Sequence, residues 1–188
     1  MTTITRYAVL LRGINVGTSR KVPMAELRTV LTDLGHTDVK TYLQSGNAAF
    51  TTDSKADEAT LTKDLEQAVR KHFGFEVHCL IREADYLRRI VEDCPFPAAD
   101  LQPKQLHVTY FSASVTPARF AAVDQEAYAP EEFRLGDRAL YLYAPDGLGR
   151  SRLAEVLSRP ALLKGITATT RNWNTVLKLA EMAQEPTA

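Results

Sequence analysis

Two short segments carry the side chains best suited to chemistry. "LLRGINVGTSRK", residues 10–21, ends an apolar run with Arg12, Asn15, Arg20 and Lys21, spaced by Gly13 and Gly17. "QSGN", residues 44–47, supplies Gln44, Ser45, Gly46 and Asn47. Arginine presents a planar fork of five donors that matches phosphate or carboxylate, while Asn and Ser add neutral hydrogen bonds. Glycines permit positive φ, so loop amides beside a helix start can face an anion. The chemistry is therefore anion binding. Turn chemistry explains each residue taken singly: Gly13 and Gly17 as turn formers, Asn47 as a left-handed hairpin residue, Arg12 as the partner of a local carboxylate. Neither a phosphate-binding GK[ST] loop nor a GxGxxG fingerprint is present.

Two further segments have the same character. In "DGLGRSRL", residues 146–153, two glycines precede Ser151, a natural N-cap flanked by Arg150 and Arg152. In "TTRNWNT", residues 169–175, Thr170 is expected to cap a helix with Arg171 and Asn172 in its first turn. A cation at a helix N-terminus is unfavourable, so Arg171 calls for a partner, either an anionic ligand or an acidic side chain. Trp173 reads as core.

Catalytic and metal chemistry find less support. There is no GxSxG elbow and no Ser-His-Asp or Cys-His arrangement suggested by spacing. Cys79 and Cys94 are the only cysteines and lack a CxxC partner, and His36, His72, His78 and His107 form no HxH or HxxxH pair. No metal site, cofactor or catalytic residue is assigned, and the thiols are expected to be buried.

The elements that position these residues follow from periodicity. Residues 5–11 read as a strand. Pro23 and Gly35 bracket a helix with Met24, Leu27, Val30, Leu31 and Leu34 at helical spacing. "VKTYLQSGNAAFTT" reads as a hairpin, Leu61 to Phe73 as a helix ended by Gly74, and "FEVHCLI" as a strand. Strand, helix, strand, strand, helix, strand is the ferredoxin-like order. The second half repeats it: "QLHVTYF", a helix from Thr116-Pro117, "EFRL" and "ALYLYA" about Gly136-Asp137, a helix from Ser151, and "ALLKGIT" as a last strand. A helix over about 83–93 joins the halves and a C-terminal helix carries Trp173, Val176, Leu177 and Ala180 on one face.

The expected fold class is α+β: two ferredoxin-like βαββαβ halves (α/β plaits) with antiparallel sheets, residues 1–94 and 95–188, separated in the Pro-containing stretch 95–103 or joined as one unit. In a split β-α-β unit the first strand's exit and the second strand's end share one sheet edge, so "RGINVGTSRK" and "QSGN" should meet.

"LLRGINVG", "VPMAELR", "TYLQSGN", "GLGRS" and "TTRNWNTVLKL", in this order and spacing, resemble the bacterial domain-of-unknown-function family 1697 across almost the whole chain. The resemblance implies a paired ferredoxin-like fold and no established activity. Its motif positions here are Arg12, Gly13, Asn15, Gly17, Ser45, Gly46, Asn47, Arg171, Asn172 and Trp173.

Composition bounds the function. The 188 residues are 45% hydrophobic and 24% charged, and 23 Lys+Arg balance 23 Asp+Glu. A nucleic-acid or anionic-membrane binder usually has a basic excess, which is missing. No apolar run approaches the roughly 18 residues a membrane helix needs, and no export signal is seen, which places the chain in the cytoplasm. The best reading is a protein that binds a small anionic, phosphate- or nucleotide-like ligand at the 12–21 loop and the 44–47 hairpin. The alternative is a nucleic-acid or protein interaction module without catalysis, using a sheet face such as that of Tyr141 and Tyr143. Pairing of either sheet with a second copy leaves a homodimer open.

Overall fold

The computed structural model describes residues 3–184. Residues 1 and 2 of the N-terminal stretch weighed for export, and 185–188 at the end of the second half, lie outside them. The chain divides into two units: one runs to Arg88 and takes up the chain again from Lys178, and the other is Arg89–Leu177. The division falls inside a helix, upstream of the 95–103 stretch, and the end of the last helix belongs with the first unit.

The first unit is built from β1 (Thr5–Leu11), α1 (Met24–Asp33), β2 (Thr37–Tyr42), β3 (Asn47–Thr52), α2 (Glu58–Phe73) and β4 (Cys79–Glu83). Its sheet is antiparallel in the order β2-β3-β1-β4, which is the ferredoxin-like arrangement. Alternation along β1 puts Tyr7, Val9 and Leu11 in one core with Phe50, Ile81 and the buried faces of α1 and α2. In α1 that face is Met24, Leu27, Val30 and Leu31, the spacing that made the helix legible. Pro23, expected as its first residue, is instead the cap, with φ −61° and ψ 136°. Asp57 caps α2 by accepting from the Thr60 amide at 2.8 Å, and Gly74 ends it in the left-handed region.

The second unit contains β5 (Leu106–Phe111), β6 (Glu132–Gly136), β7 (Ala139–Tyr143), α4 (Arg152–Leu157) and β8 (Ala168–Asn172), again antiparallel in the order β6-β7-β5-β8. Its core gathers Phe111, Phe120, Phe133, Leu140, Leu142, Leu153 and Leu157. The connecting helix α3 (Ala84–Glu92) and the terminal helix α5 (Trp173–Gln184) run from one unit into the other.

Four expectations for this half are corrected. The helix from Thr116 is two short 3-10 turns, Pro117–Phe120 and Gln125–Tyr128. Its two apolar residues, Phe120 and Val123, stand three apart, which suits a threefold turn as well as an α-helix, and the Thr116 side chain makes no cap bond. "ALLKGIT" is a chain of turns, closed by Leu163 N–H to Arg159 O and Ile166 N–H to Leu163 O, with Gly165 at φ 77°. The last strand is the threonine-rich run that follows, so Thr170 is a strand residue and not a cap. Its hydroxyl lies 2.7 Å from that of Thr109 on β5. The cap of α5 is Asn172, whose Oδ1 accepts from the Thr175 amide at 3.1 Å. Leu177, read onto the apolar face, is 42% exposed, while Leu179 is fully buried.

Candidate functional site

The exit of β1 and the end of β2 do meet. Leu10 stands opposite Asn47 in the β1–β3 ladder, and the Leu11 amide donates to Gly46 O at 2.8 Å. Asn15 then ties the loop to the hairpin. Its Nδ2 donates to Val22 O at 2.9 Å and to Gln44 O at 2.6 Å, and its Oδ1 accepts from the Val22 amide at 2.9 Å. Three hydrogen bonds consume most of what one carboxamide can make. The turn this enforces is left-handed at Asn15 (φ 55°), a conformation Asn accepts more readily than most residues.

The other cations of the loop donate to backbone carbonyls while remaining exposed. Arg20 donates from Nε to Gly13 O at 3.2 Å and from a terminal nitrogen to Glu76 O at 2.5 Å, and its guanidinium lies 5.5 Å from the Phe75 ring centroid. Lys21 donates to Gly17 O at 2.8 Å. Asn47 is completely buried, and its amide donates to Tyr42 O at 2.9 Å and Ser45 Oγ at 3.1 Å. It sits in β3, so the left-handed positions of the hairpin are Leu43 (φ 59°) and Gly46 (φ 90°) instead. A Cβ at Gly46 would lie 2.8 Å from both Leu11 Cβ and Ile14 Cδ1. Gly46 is therefore required by packing as well as by its φ.

Arg12 differs from all of these. Its amide is fixed by His78 O at 2.9 Å, but the side chain is exposed and makes no hydrogen bond or ion pair with the described residues. The local carboxylate weighed for it is not among them. The loop and the turn also expose Val16 (69%) and Leu43 (52%). The assembled edge thus presents a guanidinium and two apolar side chains on a frame held by internal hydrogen bonds.

The remaining predicted residues lie in the second unit, where protein groups already serve them. Ser151 caps α4, accepting from the Ala154 amide at 2.9 Å, and donates to Glu131 Oε2 at 3.1 Å. The same carboxylate oxygen accepts from the Leu153 amide at 2.8 Å. The chain's own Glu131 stands where a bound anion was anticipated. Sequence reasoning missed it, because 20 residues separate it from the helix and nothing local marks it. Arg171 is in β8, so the helix-dipole argument for its partner does not apply. It is buried, donates to Thr169 Oγ1 at 2.6 Å and Thr170 O at 3.1 Å, and burial lowers its pKa to about 10. Asn172 is spent on its cap, and Trp173 is buried as expected.

Among the described residues no group of three or more His, Cys, Asp or Glu could hold a metal. Burial raises the pKa of the Cys79 thiol far above its ordinary value and that of Cys94 in the same direction, so both stay protonated at neutral pH. No helix among the described residues is long and apolar enough to cross a membrane.

Two plaits of matching strand order, with a glycine-punctuated loop clipped to a hairpin in the first, define a paired α+β class of protein. The family model described as "Protein of unknown function (DUF1697)" matches residues 4–141, and the chain belongs to that family. The match takes in "LLRGINVG", "VPMAELR" and "TYLQSGN", while "GLGRS" and "TTRNWNT" lie beyond it. Among solved structures, the conserved bacterial protein SP0830 from Streptococcus pneumoniae is similar at 26% identity and a TM-score of 0.77, over 97% of this chain and 100% of that one. No curated protein matches at a significant level.

Proposed function

We propose that the chain is a binding protein for a small anion of phosphate or nucleotide type, held by Arg12 at the edge where the 12–21 loop meets the 43–47 turn. One observation carries the reading: the Arg12 guanidinium is exposed and unsatisfied by the described residues, while Asn15, Arg20, Lys21 and Asn47 all donate to backbone carbonyls of the chain. A fork on a stiff frame meets an oxyanion in two parallel hydrogen bonds at little ordering cost. Val16 and Leu43 supply apolar surface for the body of such a ligand. The bulky Leu43 holds an unfavourable left-handed φ while remaining half out in solvent, the kind of local strain that concentrates at ligand clamps.

The rival reading, a sheet face that stacks nucleic-acid bases, loses its aromatic pair. Tyr141 is 2% exposed and donates its hydroxyl to Ile90 O at 2.5 Å, and Tyr143 is partly buried, its ring 6.1 Å from that of Phe96.

The test is a thermal-shift screen against inorganic phosphate, nucleoside monophosphates and small carboxylates, on the unaltered chain, Arg12→Ala and Asn15→Ala. A ligand at a hundredfold excess over its dissociation constant stabilises by roughly 2.7 kcal/mol. Arg12→Ala is expected to abolish the shift given by inorganic phosphate and leave the unliganded Tm unchanged. Asn15→Ala is expected to lose stability by about 2 kcal/mol, since two partly buried hydrogen bonds and one exposed one go with it. An Arg12→Ala protein that melts early and binds normally would make the stretch a structural turn.

A further inference from the structure

A second feature of the first unit has no part in that loop. Beside the edge strand β2 lies an open groove of about 400 Å³, lined by Arg28 from α1, Val39, Lys40 and Thr41 from β2, and Lys178 and Met182 from α5. Three of its six lining residues are cationic and none is acidic, in a chain whose formal charge is zero. Like charges gathered on one concave surface repel, and an anion between them removes that cost.

The geometry shows which groups are available. Arg28 donates one N–H to Thr41 Oγ1 at 2.5 Å, which fixes the guanidinium over the strand and leaves further donors of its fork directed elsewhere. Lys178 Nζ is 5.9 Å from the centroid of the Tyr42 ring and 3.3 Å from Glu181, whose side chain is 62% exposed. That ion pair is a surface pair, weak enough for a ligand to compete with. The α5 side of the groove is anchored, because Arg6 Nε donates to Met182 O at 2.6 Å while another of its nitrogens pairs with Asp38 at 2.9 Å. Val39 and Met182 give the groove an apolar floor, Met182 being 2% exposed.

We infer that this groove is a binding site for a phosphate ester of mononucleotide size, its phosphate among Arg28, Lys40 and Lys178 and its less polar body over Val39 and Met182. The volume falls in the range of small-ligand pockets, and the mixture of cationic rim and apolar floor selects an amphiphilic anion over a bare one. The site is separate in its residues from the Arg12 edge, so either can fail without the other.

AMP titrated calorimetrically into the full chain at low, fixed ionic strength tests this. Saturable binding is expected to persist in Arg12→Ala, which removes the other edge, and to weaken about tenfold or more when Lys40→Gln/Lys178→Gln or Arg28→Gln is added to it. Glu181→Gln is expected to tighten it by releasing Lys178. The inference is overturned if AMP does not saturate the Arg12→Ala chain or if its binding there survives the added lysine substitutions. Equal affinity for inorganic phosphate would overturn the assignment of an ester. Since Arg28 and Lys40 are exposed side chains, the variants are expected to keep the parent Tm, and Arg28→Gln alone decides the matter if the lysine pair melts early.

Discussion

At the scale of the residue, three glycines of the candidate edge look alike in the sequence and differ in the fold. Gly13, Gly17 and Gly46 all take positive φ, at 64°, 63° and 90°. A Cβ at Gly17 would meet nothing within 4 Å, whereas at Gly46 it would strike Leu11 Cβ and Ile14 Cδ1 at 2.8 Å. Gly17→Ala therefore costs only the left-handed backbone, about 1 kcal/mol, and Gly46→Ala adds overpacking for a total of about 2–4 kcal/mol. Urea unfolding of the two variants checks the ordering, and equal losses would refute it. The same contrast marks what could be read in advance about the site. That the loop and the hairpin would meet was legible, because strand order alone brings the two segments to one edge. Which of their side chains would remain available was not. Asn15 and Arg12 are three residues apart and equally polar, but one carboxamide is enclosed by Val22 and Gln44 while the guanidinium points to solvent, and only the folded backbone distinguishes them.

At the scale of the element, capping groups decide where helices begin, and Glu131 offers the clearest experiment. Its carboxylate accepts from the Leu153 amide and from Ser151 Oγ, in the first turn of α4. Negative charge there is favourable, and hydrogen bonds to an ionised group are worth about 1.5–3 kcal/mol. Glu131→Ala is expected to destabilise the second unit by about that much. Glu131→Gln, which keeps an acceptor and loses the charge, should fall between, and thermal unfolding followed by circular dichroism reads the order. The elements themselves were mostly legible. Long amphipathic runs such as Leu61, Leu65 and Val69 are buried as spaced, and Gly35 and Gly74 mark helix ends. The failures fall where a pattern is short. Phe120 and Val123 are too few to separate an α-helix from 3-10 turns. In "ALLKGITATTRNWN" the apolar residues precede the strand, and the strand is carried by β-branched threonines paired with β5. Because that strand runs to Asn172, the helix begins there and not at Thr170, and Arg171 is a strand residue.

At the scale of the whole molecule, each unit buries one histidine in neutral form, which ties stability to pH. His36 stacks on Phe50 with ring centroids 4.1 Å apart, and its Nδ1 is buried without a partner among the described residues. His107, 6% exposed on β5, leaves its Nδ1 in the same state. Burial lowers the pKa of both, and for His36 a weaker attraction from Asp64 opposes it. The unfolded chain takes up these protons near pH 6.5, while the folded chain resists them until a lower pH. Their stabilising contribution is thus fully present above about pH 6.5 and is lost as pH falls from there toward the lowered folded values. Asp57, whose pKa is lowered by hydrogen bonds from Thr60, acts in the same direction but only below its ordinary value of 3.8, so the two regimes separate. Melting curves between pH 8 and pH 5 should show a plateau and then a falling Tm, with separate transitions wherever the units unfold independently. His36→Phe, which keeps the stacked ring and removes the proton site, is expected to flatten the fall for the first unit, and His107→Phe to do so for the second. A Tm that rises on acidification, or a slope that neither substitution changes, would show that the two buried imidazoles do not set the acid limit of the fold.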